Sequence, residues 1–422
     1  MIKTYSRNGK TILLEPDMGV WVRMKTDFYE KHKNQKEFQE YMSQKYFQNG
    51  QNVRNEDVDT IYFAVTRKCN LNCEFCAMNS NSKVDTSDEM DIQLIKEKLP
   101  HFLNEQIQKV VLTGGEPFEN KQLFQIMELI GEYIPKEKIT LQTNGILMDE
   151  SEIQRLKEYV GVVEVSIENV VENEKLKARM EKKFQLINGY KIPLALSYVV
   201  TESNIRYLKQ GLELARTYDA YFSYRIAEPF GGGKSILSHF DADKAYKDAL
   251  RVELEILDYI LENQLQDEKM AGVEEGYLLP GKMCGAYSSI LAIQANGEIY
   301  PCINTHNEAL CLGNLKRDSI DDLKKLLSSN DKRQQVKKYF DVEQKQECQQ
   351  CFYKYFCNGF CGAYETEVNE DNASYKKYVC RVRQAYLEFE MFYREDKDTL
   401  QKYIEKKRQY LFDCLKTKKL DR

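Results

Sequence analysis

Six short β-branched runs, each followed by an amphipathic segment, predict an α/β protein whose main body is a partial (β/α)6 barrel. A hairpin signal ahead of that alternation predicts a small N-terminal α+β unit. Eight of the twelve Cys fall between Met283 and Arg381, which predicts a separate Cys-rich domain behind the barrel. A chain of 422 residues has room for about two to three such units.

The N-terminal unit, residues 1–58, reads as a hairpin from Lys10 to Met24 around Pro16-Asp17-Met18-Gly19, then two short helical patterns ending near Tyr46. In the barrel, residues 59–263, the strand candidates are Thr60 to Thr66, Lys109 to Thr113, Lys138 to Gln142, Val162 to Ile167, Leu194 to Val200 and Tyr221 to Ile226. Helical spacing of apolar residues marks Asp91 to Leu99, Gln122 to Tyr133, Glu150 to Tyr159, Glu174 to Asn188, Asn204 to Tyr218 and Asp241 to Asn263. Strand-helix-strand units of this kind cross over right-handed and form a parallel sheet, so ligands belong at the carboxyl ends of the strands. Residues 264–283 read as a linker and 284–382 as the Cys-rich domain. With frequent Gly and few long apolar runs, that domain is expected to rely on metal ligation in place of a conventional core. Residues 383–422 read as a Tyr-rich, charged terminal helix.

Hydrophobic residues at 42% and charged residues at 30% describe a globular chain, not a disordered one. Its 61 Lys and Arg against 66 Asp and Glu leave a net charge of -5, which argues against nucleic acid or an anionic membrane as partner. No run reaches the ~18 apolar residues of a membrane span. Met1 to Lys10 lacks the apolar core of a signal peptide, so a cytoplasmic location is expected. Cys in such a chain read as ligands or redox groups before disulfides.

Cys69, Cys73 and Cys76 form C-x3-C-x2-C directly after the first strand. Three thiolates on one loop can hold three irons of a four-iron cubane and leave the fourth open, while a zinc knuckle or a redox pair remains an alternative. The second strand runs into Thr113-Gly114-Gly115-Glu116-Pro117 and the third into Thr143-Asn144-Gly145, both on the rim that carries the cysteine loop. Paired Gly allow backbone to approach a ligand, and Glu116 offers a carboxylate to a cationic amine.

In this order the motifs resemble the radical S-adenosylmethionine enzymes over roughly Asp59 to Asn263. The resemblance implies a TIM-like partial barrel in which Cys69, Cys73 and Cys76 hold a [4Fe-4S] cluster whose open iron chelates S-adenosylmethionine. It further implies that Glu116, with the Gly114-Gly115 backbone ahead of Pro117, holds the methionine amine. Phe75 would lie near the adenine, with Asn144 on the same rim. Ser166 and Arg179 resemble residues that meet the methionine carboxylate or the ribose. Glu168 and Asn169 stand where relatives commonly read Asp-Gly in the ribose-contacting turn.

Downstream, Cys284 is followed by Gly297 and Cys302, then by Cys348-x2-Cys351-x5-Cys357-x3-Cys361 and finally Cys380. Spacing alone also fits two four-thiolate zinc sites. The layout resembles the SPASM domain, an iron-sulfur extension with two auxiliary clusters. That resemblance implies an outer [4Fe-4S] cluster on Cys348, Cys351, Cys357 and Cys380, and an inner one on Cys284, Cys302 and Cys361. No Cys lies between Cys284 and Cys302, so the inner cluster is expected to keep an open iron; Cys311 reads first as an inert buried thiol, with completion of the inner cluster or a thiol relay as the alternatives. Three clusters in all are expected.

The four His show no metal-site spacing. Gly231-Gly232-Gly233-Lys234-Ser235 reads as a rim loop, because Glu228 occupies the leading Gly position of a phosphate loop. Arg225 and Glu228 are expected to pair or to face the barrel mouth, with Glu228 a catalytic candidate. The N-terminal unit is similar to small elements that bind leader peptides by β-augmentation. The implied function is a peptide maturase that oxidatively crosslinks a ribosomal precursor peptide, often through a thioether, with an external electron donor such as flavodoxin or ferredoxin. The alternatives are a sulfatase-type maturase making formylglycine and a non-catalytic iron-sulfur or zinc carrier.

Overall fold

The computed structural model describes residues 2–47, 57–229, 231–264, 278, 280–281, 284–328, 331–367 and 373–416. Three antiparallel strands open the chain, β1 (Lys3–Arg7), β2 (Lys10–Glu15) and β3 (Val20–Lys25), in the order β1-β2-β3. Helices α1 (Thr26–His32) and α2 (Lys36–Met42) follow, and a π-helical turn extends α2 to Phe47. The continuous apolar run of β2 is explained by burial on both faces: Ile12 and Leu14 point toward the C-terminal module, and Leu13 points toward Met42 and Phe47. Strand β1 is absent from the sequence reading, since Lys3 to Arg7 is a polar edge strand without apolar alternation.

The barrel strands are β4 (Thr60–Ala64), β5 (Lys109–Thr113), β6 (Ile139–Thr143), β7 (Val162–Ser166), β8 (Leu194–Val200) and β9 (Tyr221–Ile226), all parallel and hydrogen-bonded in sequence order. Around them lie α3 (Ile92–Lys98), α4 (Leu123–Gly131), α5 (Glu150–Tyr159), the short α6 (Glu168–Glu172), α7 (Glu174–Gly189), α8 (Leu208–Thr217) and α9 (Ala242–Glu262). Local chemistry starts these helices. Asp149 and Glu152 form a reciprocal capping box on α5, while Asn173 caps α7 and Asp241 caps α9. Strand β8 alternates strictly between buried and half-buried residues.

Beyond Asn263 the structure corrects the expectation of a domain without a conventional core. Strand β10 (Ile290–Ile293) pairs parallel with β4, and β11 (Glu298–Tyr300) and β12 (Gly313–Asn314) continue antiparallel, giving a nine-stranded sheet. Leu291, Ile293, Ile299, Leu310, Leu312 and Leu315 are buried in the same core as the barrel. The strands were hidden by their brevity: two to four residues carry too little periodicity to announce themselves. A helix from Ala373 to Glu388 carries Cys380 and runs through the position where a new segment was expected, before the final helix Leu400–Lys416. Most of the expected linker, residues 264–283, lies outside the described residues. Among the described residues, no helix is long and apolar enough to cross a membrane.

Candidate iron-sulfur and S-adenosylmethionine sites

The cysteine loop leaves β4 and is stitched to the end of β5. Gly115 N donates to Thr66 O and Glu116 N to Lys68 O, both at 2.8 Å. A Cβ on Gly114, whose φ is +148°, would lie 2.3 Å from Thr66 O, and one on Gly115 would lie 2.2 Å from Lys68 O. The two glycines therefore make room for the cysteine loop itself. Pro117 opens the one-turn helix Pro117–Glu119 that ends this segment. From the other side Gly232 N donates to Cys76 O at 2.9 Å, and a Cβ on Gly231 would strike Ala77 O at 2.3 Å. The expected rim loop is thus packed against the cysteine loop.

Glu116 is fully buried and ties the motifs together. Its Oε1 accepts from Thr143 Oγ1 at 2.6 Å, and its Oε2 accepts from Asn144 N at 2.8 Å. Burial pushes its carboxyl up to about 7, against the pull of these donors. This carboxylate anchors the end of β5 to the end of β6. Asn144 Nδ2 donates to Asn70 Oδ1 at 2.8 Å and lies 3.9 Å from Cys69 Sγ, so the third strand touches the loop directly. Lys183 of α7 donates to the carbonyls of Gly145 and Ile146 and pins the same turn.

Cys69, Cys73 and Cys76 are electrostatic neighbours. Each sulfur faces an N–H: Leu71 N at 3.4 Å from Cys69, Asn169 Nδ2 at 3.7 Å from Cys73, and Ser80 N at 3.4 Å from Cys76. Burial raises the Cys69 thiol to about 11 and also raises Cys73, so a neutral apo loop is favoured until a cationic centre compensates the thiolates. The buried Ser80 hydroxyl beside Cys76 has no protein partner. Sulfurs with N–H donors and an unspent hydroxyl fit an iron-sulfur centre. Phe75 is half-buried on this loop. Ser166 ends β7 opposite Ser197, and Glu168 is buried and accepts from Val199 N at 2.5 Å. Its committed partner is thus the β8 backbone, and burial pushes this carboxyl also to about 7. Arg179 is exposed on α7, with Lys183 beside it, and the structure does not bring it to the cysteine loop.

The remaining cysteines sort into two sets. Cys348, Cys351, Cys357 and Cys380 line one cavity of about 190 Å3 and act on one another electrostatically. Cys302 neighbours Cys284 and Cys361, and burial lifts the Cys302 thiol to about 12 and that of Cys361 to about 11. Among the described residues no three ligating side chains already converge on one ion. A cubane is several atoms wide and needs its sulfurs farther apart than a single zinc does. The Cys311 thiol faces Gly313 O at 3.4 Å, with Glu298 and Arg317 as charged neighbours. Glu228 accepts from Tyr375 Oη at 2.7 Å and lies near Cys361, whereas Arg225 neighbours Glu168 and Tyr62, so these two do not form the expected pair. A wider cavity of about 420 Å3, lined by Lys136, Lys157, Gly161 and Tyr190, sits at the amino ends of β6 and β7, away from every cysteine.

Sequence reasoning missed Arg383 and Gln384. Arg383 Nη1 lies 3.5 Å from Cys357 Sγ, and Gln384 Nε2 lies 3.9 Å from Cys351 Sγ. The available signal was their helical spacing of three and four residues from Cys380.

Comparison with known proteins agrees with this geometry. Residues 63–186 match the radical SAM superfamily model, and residues 284–352 match the SPASM iron-sulfur cluster-binding domain. A cysteine-type anaerobic sulfatase-maturating enzyme of Clostridium perfringens is 26% identical, over 76% of this chain and 92% of that protein. The antilisterial bacteriocin subtilosin biosynthesis protein AlbA of Bacillus subtilis is 22% identical, over 75% of this chain and 69% of its own length. In fold, SuiB of Streptococcus suis bound to S-adenosylmethionine superposes with a TM-score of 0.56 at 16% identity, over 90% of this chain and 98% of SuiB. The two matched domains imply S-adenosylmethionine and iron-sulfur clusters as cofactors, and the chain is an enzyme with a radical SAM domain followed by a SPASM domain.

Proposed function

We propose that this protein is a peptide maturase that oxidatively modifies a ribosomally made precursor, with a thioether or other crosslink as product. The observation that carries the reading is the N-terminal sheet and its seating. Among the described residues β1 and β3 each pair with β2 alone, leaving two sheet edges of the kind that capture an extended peptide. The sheet is held on the C-terminal module by Tyr5 against Phe352, with ring centroids 3.9 Å apart, and Trp21 against Phe356 at 5.5 Å. Trp21 Nε1 also donates to Leu278 O at 2.7 Å. A peptide paired with such an edge is delivered to a fixed place relative to the auxiliary site. AlbA, by its name, acts in bacteriocin biosynthesis, and SuiB has been captured with a precursor peptide, SuiA, which supports the same substrate class.

In this reading Cys69, Cys73 and Cys76 hold the S-adenosylmethionine-binding cluster, and the rim bearing Phe75, Asn144 and Ser166 receives the cofactor. Cys284, Cys302 and Cys361 hold the inner centre, and Cys348, Cys351, Cys357 and Cys380 the outer one. When bound, the cluster and S-adenosylmethionine together supply a 5'-deoxyadenosyl radical able to take hydrogen from an unactivated carbon. The chain's own part is placement: Glu116, Thr143 and Asn144 lock the cysteine loop to two strands, and Glu228, held by Tyr375, puts a carboxylate at the inner set. A flavodoxin or ferredoxin supplies the electrons.

The likeness to the sulfatase-maturating enzyme over 76% of this chain favours formylglycine formation as the second reading. Reconstituted protein should carry about twelve irons per chain, and with S-adenosylmethionine and dithionite it should release 5'-deoxyadenosine. Cys73→Ala should abolish that release. Mass spectrometry of the treated peptide then separates the readings: a crosslink removes a pair of hydrogens and keeps sulfur, whereas formylglycine from Cys loses a pair of hydrogens and also exchanges sulfur for oxygen. A peptide unchanged by active enzyme would rule out both.

A further inference from the structure

The three cysteine sets differ in the charge placed beside them. Next to the loop set lie Glu116, beside Cys69, and Glu168, beside Cys73. Next to the inner set lies Glu228, beside Cys361. The outer set has a cation beside three of its sulfurs, Lys345 by Cys348, Lys354 by Cys351 and Arg383 by Cys357, and one carboxylate, Glu347 by Cys348, which Lys376 pairs at 2.8 Å. Lys345 is offset by Glu365 at 3.4 Å and Lys354 by Glu343 at 3.5 Å. Arg383 is not offset in this way. It donates to Cys357 Sγ and, at 2.5 Å, to Gly359 O, and among the described residues no carboxylate lies within ion-pair distance of it. It also senses Glu228 and Cys361, both of the inner set's surroundings, after Cys357. The Arg383 charge therefore acts first on the outer Cys357 and less on the inner Cys361, beside which stands the Glu228 carboxylate.

Adding an electron to an iron-sulfur centre adds negative charge, which a nearby cation and N–H donors to sulfur stabilise and a nearby carboxylate opposes. We propose that Arg383, assisted by Gln384, sets the reduction potential of the outer centre above those of the other two, while Glu228 holds the inner centre lower. The electron that the inner centre loses is then the one the outer centre gains, and transfer runs outward without a further co-reactant. Arg383 is a positioning residue in this scheme: it touches a ligand sulfur, not the substrate. The inference rests on the assignment of iron-sulfur centres to both sets, and the iron and sulfide content of wild-type protein checks that assignment separately.

The test is an EPR-monitored redox titration of the reconstituted full chain without peptide, with the outer signal identified as the one missing from Cys380→Ala. In the wild type the outer midpoint should be the highest of the three. Arg383→Gln should move it to lower potential by more than it moves either of the other two, Arg383→Lys should restore most of the shift, and Glu228→Gln should raise the inner midpoint. An outer midpoint that is not the highest, or one that Arg383→Gln leaves unmoved, overturns the inference. Should Arg383→Gln lose the outer iron, the wild-type order and the Glu228→Gln shift decide. Iron sufficient for a single centre in wild-type protein would overturn the cluster assignment and the inference together.

Discussion

Gly115 shows how a missing side chain can position a neighbouring loop. Its missing side chain lets β5 close on Lys68, and the loop so positioned carries the cysteines. Gly115→Ala is expected to cost about 1–3 kcal/mol through overpacking against backbone. It should also lower the iron retained by the loop, as measured by denaturant unfolding and iron analysis; wild-type values for both would contradict the account. Cys311 makes the opposite case, a cysteine in a Cys-rich domain with its thiol turned to Gly313. Cys311→Ala should keep the full iron content, whereas Cys302→Ala should lose about four irons. Equal losses would return Cys311 to the inner set. The sequence could not separate these two thiols, because both sit beside short strands and only the fold decides where each points.

Elements are joined by a few buried polar contacts as well as by apolar packing. Lys407 on the last helix meets Glu253 on α9 at 2.8 Å, both nearly shut off from solvent, and Tyr224 of β9 donates to the same carboxylate. Lys407→Met would strand Glu253 in the interior and is expected to cost about 3–5 kcal/mol. Lys407→Met with Glu253→Leu should recover much of that loss in thermal unfolding, and no recovery would mean the pair is not the cause. The N-terminal sheet is a second joint. Removing residues 2–47 would uncover Tyr353, Tyr355, Met391 and Phe392, so the truncated chain should bind a hydrophobic dye and lose outer-centre iron first. A truncated chain with full iron and no dye binding would show that the sheet serves only to capture peptide. The six barrel strands and their helices were legible because each is defined by its own residues: β-branched runs, capping Asp and Asn, amphipathic spacing. Strands β10 to β12 were not, since each gains its stability from the neighbour it pairs with.

For the molecule as a whole, the amino-acid sequence by itself determined the α/β alternation, the rim on which ligands belong, and the cysteine spacings that announce iron-sulfur chemistry. These are properties of local order: periodicity, turn residues and the separation of thiols along one segment. Only the tertiary structure decided that the Cys-rich region extends the barrel sheet and shares its core, and that the N-terminal sheet buttresses the outer cysteines. It also decided that Arg383 and Glu228 carry opposite charges to neighbouring cysteine sets. The physical reason is distance along the chain. Glu228 stands 155 residues before Arg383, and no pattern within a window of sequence can report a field created by groups that meet only after folding.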